Sequence, residues 1–378
     1  MNKLIFASSE SCADLWYLTG FAASDPFLFF QTDKVTAVAV SSIEIGRAQK
    51  QCHPGIQVAD AGHLAEFFHR EPVADANLHW FVKQIRTLCE GTGVYEWNVP
   101  NDFPVAYADL LRENGIKVTP LWPFAPDRKV KTAEEIKKIR HSEQLAEAGL
   151  AEADGMLRQA TVDSEGYLVL GGTRLYAEEL RGAINAAIAR KGGVALGTIA
   201  APGLQGSDPH QSGTGPVRAN EPIVMDIFPR DQNTGYFGDL TRTRVKGKAS
   251  PIVRKAYETV LDAQLEVLRT LKAGVLGCDM QKLVTDKCDA AGFPTGRDLK
   301  TGLYHGFFHS LGHSVGMEIH EGPNLSPAKD APLVPGHVVT VEPGLYDPAW
   351  GGIRIEDTVA ITETGIDNLA TVGKELEI

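Results

Sequence analysis

The stretch GHSVGMEIHEGP (residues 312–323) and the two runs that follow it organise the rest of the chain. VVTVEPGLY (338–346) carries Glu342, and GGIRIEDTVAI (351–361) carries Glu356. Both carboxylates lie among β-branched residues, which favour strands. An ionised carboxylate is costly to bury in so apolar a strand unless a cation lies beside it. Two such strands after a run rich in histidine and glycine therefore indicate a metal site.

Alternation along these two strands predicts which side chains face the same way. Thr340 and Glu342 share one face of the first strand, and Arg354 and Glu356 share one face of the second. Arg354 can therefore pair with the acidic groups of the site and orient them. A solvated arginine is the alternative interpretation.

The same pattern occurs upstream, where two aspartates lie in apolar runs. EPIVMDIFP (221–229) carries Asp226, and GYFGDLTRTRV (235–245) carries Asp239 with Thr241 on its face. Turn-forming residues separate the two runs, so the pair predicts a β-hairpin with a long loop. Aspartate is common at strand ends, and either residue alone could be structural. Together with the downstream histidine and glutamates, they form an oxygen-rich set that suits two divalent ions sharing carboxylates.

These segments resemble the metallopeptidases of the pita-bread fold, which include methionine aminopeptidase, aminopeptidase P and the Xaa-Pro dipeptidases (prolidases). GDLTRT, GHSVG, HEGP, VEPG and RIED are similar to the segments that carry the family's ligands and their neighbours, and the likeness covers roughly residues 128–378. The family orders its ligands Asp, Asp, His, Glu, Glu. Carried over to this sequence, the resemblance implies the metal ligands Asp226, Asp239, His313, Glu342 and Glu356.

The resemblance also implies a reaction, which is hydrolysis of the Xaa-Pro bond in dipeptides or short peptides by a hydroxide that bridges two metal ions. It implies that Glu342 also shuttles the proton and that Glu356 bridges the metals. It implies that His210 and His320 are the two histidines of the site that do not bind metal. One contacts the substrate and stabilises the tetrahedral intermediate, and the other supports the carbonyl or the leaving side, although a lone histidine is usually structural. Manganese is the expected metal, with cobalt, zinc or iron open, because an oxygen-rich site selects by availability.

Further residues are expected beside the ligands, together with Arg354 and Thr241. His309 precedes the GHSVG unit and is expected to line the pocket, since HSLGH offers two histidines of which His313 matches the ligand. Phe228 stands where relatives mostly place glycine, so we expect it to narrow the wall near the metals.

One departure from the family pattern affects substrate length. Asn324 follows HEGP where archaeal-type prolidases resemble one another in having an arginine for the substrate's carboxylate. No arginine occurs between His320 and Arg354, and Lys329 could serve only as a point charge. Cleavage of longer Xaa-Pro peptides therefore stays open. A non-peptide amide hydrolase or lyase on the same fold, or a non-catalytic binding module, are the alternatives.

Two domains are expected from the 378 residues. Residues 1–125 alternate strand-like and helix-like runs, which predicts an α/β domain. Within it, PNDFPVAYADLLRENG predicts a helix that starts near Asp102. LWYLTGF and DPFLFF resemble the N-terminal domain of prolidases, aminopeptidase P and creatinase, which implies a homodimer. Residues 126–378 predict an α+β domain, for which the resemblance implies the pita-bread catalytic fold with a curved antiparallel sheet. Its first helix opens with a capping box from Thr132 to Glu135.

Composition limits the partners and the compartment. A net charge of −11 argues against nucleic acid or an anionic membrane as a partner. No apolar run reaches the ~18 residues that a membrane span needs, and the N-terminal apolar run is too short for a secretion signal. The five cysteines lack metal-binding spacing and are expected to be free thiols in a reducing compartment. We therefore expect a cytoplasmic protein.

Overall fold

The computed structural model of the protein describes all but two residues, over 1–75, 77–328 and 330–378. Lys329, considered above as a point charge, lies outside the described residues. The chain divides into two units, Met1–Arg128 and Lys129–Ile378.

The N-terminal unit alternates strands and helices, as the sequence predicts. Its elements are β1 Lys3–Ala7, α1 Ala13–Thr19, β2 Phe27–Gln31, β3 Thr36–Val40, α2 Ile45–Gln51, β4 Gln57–Asp60, α3 Leu64–Phe67, α4 Trp80–Thr92, β5 Glu96–Pro100, α5 Val105–Glu113 and β6 Lys117–Leu121. The described strands form one six-stranded sheet in the order β4-β3-β2-β1-β5-β6. β1, β2 and β3 are antiparallel, whereas β4, β5 and β6 join in parallel.

Helices cover both faces of this sheet, which explains why β2 is apolar at consecutive positions. Leu28 and Phe30 pack into a core with α4 and α5. Phe27 and Phe29 point the other way and pack with α1 and α2. The helix predicted from near Asp102 begins instead at Val105. Pro104 explains the later start, because the residue before a proline is disfavoured in helical conformation.

The C-terminal unit contains long helices and many short strands. Its elements are α6 Ala133–Gln159, β7 Thr161–Val162, β8 Leu168–Leu170, β9 Thr173–Arg174, α7 Ala177–Arg190, β10 Gly193–Ala195, β11 Ile199–Pro202, β12 Pro222–Ile227, β13 Pro229–Asp231, β14 Leu240–Val245, α8 Pro251–Thr270, α9 Gly277–Ala290, β15 Gly296–Arg297, β16 Tyr304–His305, β17 Gly312–Ser314, β18 Glu321–Leu325, β19 Val338–Val341, β20 Gly344–Asp347, β21 Gly351–Arg354, β22 Asp357–Ile361 and β23 Ile366–Asn368. These strands pair antiparallel. The predicted fold class, α/β followed by α+β with antiparallel strands, is confirmed.

Two helix pairs cover the strands of this unit. α6 and α7 share a core with β11, β12 and β14, and α8 and α9 share another with β18–β22. The predicted capping box opens α6, since Glu135 N–H donates to Thr132 Oγ1 at 3.3 Å and Thr132 N–H donates to Glu135 Oε2 at 2.8 Å. None of the helices in the described part of the chain has the length and apolar composition of a membrane span.

The strands deliver the predicted ligands at their ends. β12 and β14 form the predicted hairpin, with Asp226 opposite Thr241. Asp239, Glu342 and Glu356, which the sequence placed within strands, lie just outside them: before β14, after β19 and before β22. At a strand end the backbone is released from the ladder, so a side chain can turn toward its neighbours.

Candidate metal centre

A cavity of about 750 Å³ opens in the C-terminal unit where these strand ends meet. All but one of the residues that the sequence proposed for the site line it: His210, Asp226, Phe228, Asp239, His309, His313, His320, Glu342, Arg354 and Glu356. Thr241 is the exception and reaches the site from behind, where its Oγ1 donates to Glu356 Oε2 at 2.7 Å. Ile199, Pro209, Phe308 and Ile319 add an apolar wall.

Four of the predicted ligands form a compact group at the cavity wall. One ligand atom from each of Asp239, His313 and Glu356 lies within 4.8 Å of the other two. Glu342 joins them, because its Oε1 lies 3.3 Å from His313 Nε2. Asp239 Oδ2 lies 3.6 Å from the same nitrogen. Side chains from three separate parts of the sequence therefore converge on one point.

The protonation state of His313 indicates that a cation can bind where these side chains meet. Burial, followed by the neighbouring His320, lowers the pKa of His313 to about 4, so the ring is neutral near pH 7. Its Nδ1 lies 3.3 Å from the Ser314 carbonyl, which only accepts, so Nδ1 carries the hydrogen. Nε2 then presents a lone pair toward the carboxylates of Asp239 and Glu342. Lone pairs that face one another need a cation between them.

The raised pKa values of the carboxylates also indicate a site for a cation. Burial, and then the neighbouring Glu356, Asp226 and Glu342, raise the pKa of Asp239 well above its ordinary value. Burial and the same kind of repulsion raise that of Glu356. Burial raises the pKa of Glu342 to about 8. The group therefore holds more negative charge than the surrounding protein balances.

Asp226 completes the set from the facing strand. Its Oδ2 pairs with Arg354 Nη2 at 2.7 Å. Its Oδ1 is buried and has no hydrogen-bond partner among the described residues. Four carboxylates, one of them with a buried oxygen that has no hydrogen-bond partner among the described residues, and a neutral imidazole nitrogen are the donors that divalent cations such as manganese prefer. The residues present therefore fit the metal ions that the sequence predicted.

Arg354 links the ligands to the loop before β12. Besides Asp226, its Nη1 donates to Tyr346 Oη at 2.9 Å, and both Nη atoms lie 3.4 Å from the Pro209 carbonyl. His210 follows Pro209 and lines the cavity. The arginine therefore contacts both a predicted ligand and the residue that precedes a candidate substrate-contacting histidine.

Tyr346 belongs to this network and was missed by the sequence reasoning. It is buried, and its Oη contacts His309 Nε2 at 2.9 Å. In the hairpin of β20 and β21, Arg354 pairs with Gly344, and Tyr346 lies two residues after Gly344. Because side chains alternate along a strand, Tyr346 points to the same face of the hairpin as Arg354. The turn-forming residues between these strands could have revealed it.

Threonines support the glutamates, as alternation along the strands predicts. Thr340 Oγ1 donates to Glu342 Oε1 at 3.2 Å. Thr241, which donates to Glu356, accepts from Arg354 Nε at 3.2 Å. Each glutamate therefore has a fixed hydroxyl neighbour that orients one oxygen.

The two histidines at β17 and β18 face each other across the cavity wall. The ring of His320 meets that of His313 edge to face, with centroids 4.4 Å apart. Behind them, Lys131 Nζ is buried and donates to Ser314 Oγ and to Glu321 Oε2, each at 3.0 Å. Lys131 was also missed, since nothing in its local sequence connects it to residues almost 200 positions away.

Glu143 is a third residue without a sequence signal. It is buried on α6, and its Oε2 accepts from Asp239 N–H at 3.0 Å. Burial raises the pKa of Glu143 to about 8. Gly238 permits this approach, because a Cβ there would lie 2.4 Å from the Glu143 nitrogen. α6 therefore supports Asp239 from behind.

Phe228 lies directly after β12 and lines the cavity beside Asp226. Its ring closes against Gly197, where a Cβ would lie 3.2 Å from Phe228 Cζ. Gly197 has φ +91°, a conformation that favours glycine. The aromatic ring thus occupies space beside the ligands that a glycine would have left open.

Sequence comparison places these residues in a known context. Residues 137–363 match the profile of metallopeptidase family M24. A protein named uncharacterized peptidase YqhT from Bacillus subtilis is 37% identical over 181 residues, which cover 48% of each chain. A Xaa-Pro dipeptidase from Pyrococcus furiosus is 32% identical over 250 residues, which cover 66% of this chain and 65% of that protein. The chain thus spans about half to two thirds of these curated relatives.

Comparison with solved structures extends the likeness to both units of the chain. The X-Pro aminopeptidase of Thermotoga maritima superposes with a TM-score of 0.80 at 22% identity, covering 100% of this chain and 97% of that one. The prolidase of Pyrococcus furiosus superposes with a TM-score of 0.78 at 22% identity, covering 99% and 97%. At this level of identity the likeness establishes the fold.

Proposed function

The chain belongs to metallopeptidase family M24, and from that premise we propose that it hydrolyses the bond before proline in dipeptides or other short peptides. The observation that carries the proposal is the convergence of Asp226, Asp239, His313, Glu342 and Glu356 on one cavity, with a histidine lone pair aimed at carboxylates. We propose these five as ligands of two divalent ions, manganese first. Xaa-Pro dipeptidases and aminopeptidases among the relatives support the choice of bond.

The roles of the side chains follow from their positions. Two ions held here would acidify a water molecule and polarise the scissile carbonyl. Glu342 takes a proton on a carboxylate oxygen and passes it to the leaving nitrogen. His210 and His320 line the cavity and donate hydrogen bonds to the oxygen that gains charge as the carbonyl is attacked. Arg354 holds Asp226 in place.

The cavity wall bears on substrate length. Among the described residues that line it, Arg354 is the only side chain with a permanent positive charge, and it is paired with Asp226. Asn324 lines the wall as an uncharged amide. A dipeptide would bring its own carboxylate close to this wall without a matching cation. Peptides that continue beyond proline are therefore the preferred substrates in this proposal.

A peptide panel tests the proposal. Xaa-Pro dipeptides and Xaa-Pro-Yaa tripeptides are supplied with manganese, cobalt, zinc or iron in turn, and release of the N-terminal residue is followed by mass spectrometry. Release from proline peptides but not from matched alanine peptides, abolished by a chelator, is the expected result. No metal-dependent release from any peptide would contradict the assignment.

The proposal also covers the oligomeric state of the protein, its cellular compartment and the roles of its two domains. We propose a cytoplasmic homodimer in which residues 126–378 form the catalytic domain and residues 1–125 the accessory domain. The net charge of −11 and the free cysteines support the compartment. Light scattering of the purified protein measures the assembly.

A further inference from the structure

The strand ladder is interrupted where it carries the two glutamates. β19 pairs with β22, and β20 pairs with β21, both antiparallel. Between these ladders, Glu342 and Pro343 on one side face Ile355 and Glu356 on the other. The break is the point from which both glutamates turn toward the cavity.

Of the four residues in the break, two direct their backbone N–H groups elsewhere and one has no N–H. Glu342 N–H donates to the Leu311 carbonyl at 2.9 Å, and Glu356 N–H donates to the Thr241 carbonyl at 3.0 Å. Pro343 has no N–H. The one donation inside the break is from Ile355 to Pro343, at a long 3.4 Å. The two chain segments are thus barely held to each other by their own backbones.

A side chain from α8 supplies the connection. Gln264 is fully buried, and its Nε2 donates to the Val341 carbonyl at 3.0 Å and to the Ile355 carbonyl at 3.1 Å. The opposite orientation of the amide would set its oxygen against two carbonyl oxygens, so the assignment is determined by chemistry. Val260 and Val267 flank it on the same buried face of the helix. A polar residue in this apolar position therefore needs a specific reason.

We propose that Gln264 is a positioning residue that sets the separation of Glu342 and Glu356. Each carbonyl that it binds directly precedes one of these glutamates, so one amide fixes both ligands relative to each other. Loss of the amide leaves two buried carbonyls with one donor fewer, and the segments relax toward other partners. The inference rests on the proposed function, since it takes the two glutamates to be metal ligands. Gln264 touches neither substrate nor metal.

The test compares two buried substitutions on the same face of α8. Gln264→Met keeps the volume and removes the donor, whereas Val260→Ala removes packing and leaves the amide in place. Manganese binding is titrated by calorimetry, and stability is followed by thermal unfolding. We expect Q264M to weaken manganese binding about 10- to 100-fold, as loss of a ligand-supporting contact does elsewhere. It should lower kcat with less change in KM. V260A should lower Tm but keep the manganese affinity of the wild type.

The outcomes separate the two proposals. Wild-type protein that binds none of manganese, cobalt, zinc and iron would contradict the proposed function and this inference with it. A wild type that binds manganese beside a Q264M variant with unchanged affinity and kcat would overturn only the role of Gln264. Equal loss of affinity in Q264M and V260A would also overturn it, since general destabilisation would then explain both. If Q264M does not fold, Gln264→Asn is measured by the same criteria, because its shorter amide cannot bridge both carbonyls.

Discussion

Glu356 and Asp357 are neighbours in the chain and both are buried, at 2% and 0% exposure, yet their charges are balanced in opposite ways. Asp357 points away from the cavity and accepts from Arg242 Nη2 at 2.8 Å and from Lys374 Nζ at 2.5 Å. Burial alone would raise its pKa, but the two cations hold the pKa of Asp357 below its ordinary value. Glu356 points into the cavity, where burial and then the facing carboxylates raise its pKa.

The contrast shows how the fold separates a carboxylate that stabilises the folded chain from one that faces the proposed metal centre. Asp357 has its counter-ions within the polypeptide, so it stabilises the folded chain. Among the described residues, the Glu356 side chain accepts a hydrogen bond from the Thr241 hydroxyl at 2.7 Å, and in the proposed metal centre a bound cation would balance its charge. Alternation of side chains along the strand places these two environments one residue apart. Variants of the two residues should therefore fail in different ways.

Removing the charge of Glu356 should give the largest effect, and it should fall on activity. We expect Glu356→Gln to lower kcat/KM on a Xaa-Pro peptide by about 1,000-fold or more, because bound metal ions contribute several kcal/mol to the transition state. The Tm of the metal-free protein should stay the same or rise, since one of several repelling charges is gone. Activity within tenfold of the wild type would contradict the ligand role.

Removing the charge of Asp357 should act on stability instead. Asp357→Asn leaves the buried Arg242 and the partly exposed Lys374 without their charged partner, which should cost about 3–5 kcal/mol. Chemical denaturation measures this loss. Asp367→Asn is the matched control, because its pair with Arg140 is exposed and should be worth at most about 1 kcal/mol. Equal effects of the two variants would remove the contrast.

Metal addition should stabilise the wild type but not the Glu356→Gln variant. A ligand at 100 times its Kd adds about 2.7 kcal/mol to the free energy of unfolding. Thermal unfolding with and without manganese measures the shift, and a chelator should reverse it. If manganese does not change the Tm of the wild type, the carboxylate group does not bind this ion.

The smallest effect concerns pH and the metal-free protein. Burial raises the folded-state pKa of Glu342 from 4.5 to about 8, so the folded protein binds this proton more tightly than the unfolded chain. Its contribution to stability is therefore complete below pH 4.5 and lost as the pH rises through 8. We expect the Tm to fall by a few degrees from pH 5 to pH 8.

Manganese should flatten or reverse this pH dependence, because metal binding requires deprotonated carboxylates. Asp357 behaves oppositely, since its depressed pKa makes its contribution disappear only as the pH falls below 3.8. A metal-free Tm that rises from pH 5 to pH 8 would contradict the assigned pKa direction.

Sequence patterns predicted the parts of this molecule that depend on local spacing. Alternation placed Thr340 beside Glu342 and Arg354 beside the acidic group, and the structure has both contacts. The capping box at Thr132 was equally local. The motif resemblance supplied the pita-bread catalytic fold and the proposed ligand set, which no single segment contains.

The supporting residues could not be found in this way. Gln264 and Lys131 act on segments far along the chain, and neither lies in a motif or a periodic pattern. The role of Gln264 follows from the backbone donors that are missing in the strand break, and that of Lys131 from the hydrogen-bond partners of its buried ammonium group. Both depend on the three-dimensional structure. Asp239, Glu342 and Glu356 lie outside their predicted strands for a related reason. The residue at which a strand ends depends on where its hydrogen bonds with the partner strand stop, and the local sequence does not reveal this.

The hydrogen bond from Thr241 to Glu356 joins residues 115 positions apart. During synthesis on the ribosome, the first of these segments emerges long before the second, so a nascent chain lacks the complete group of proposed ligands. Contacts of such long range also form late when a denatured chain refolds. Recovery of catalysis should consequently lag behind recovery of helical circular dichroism.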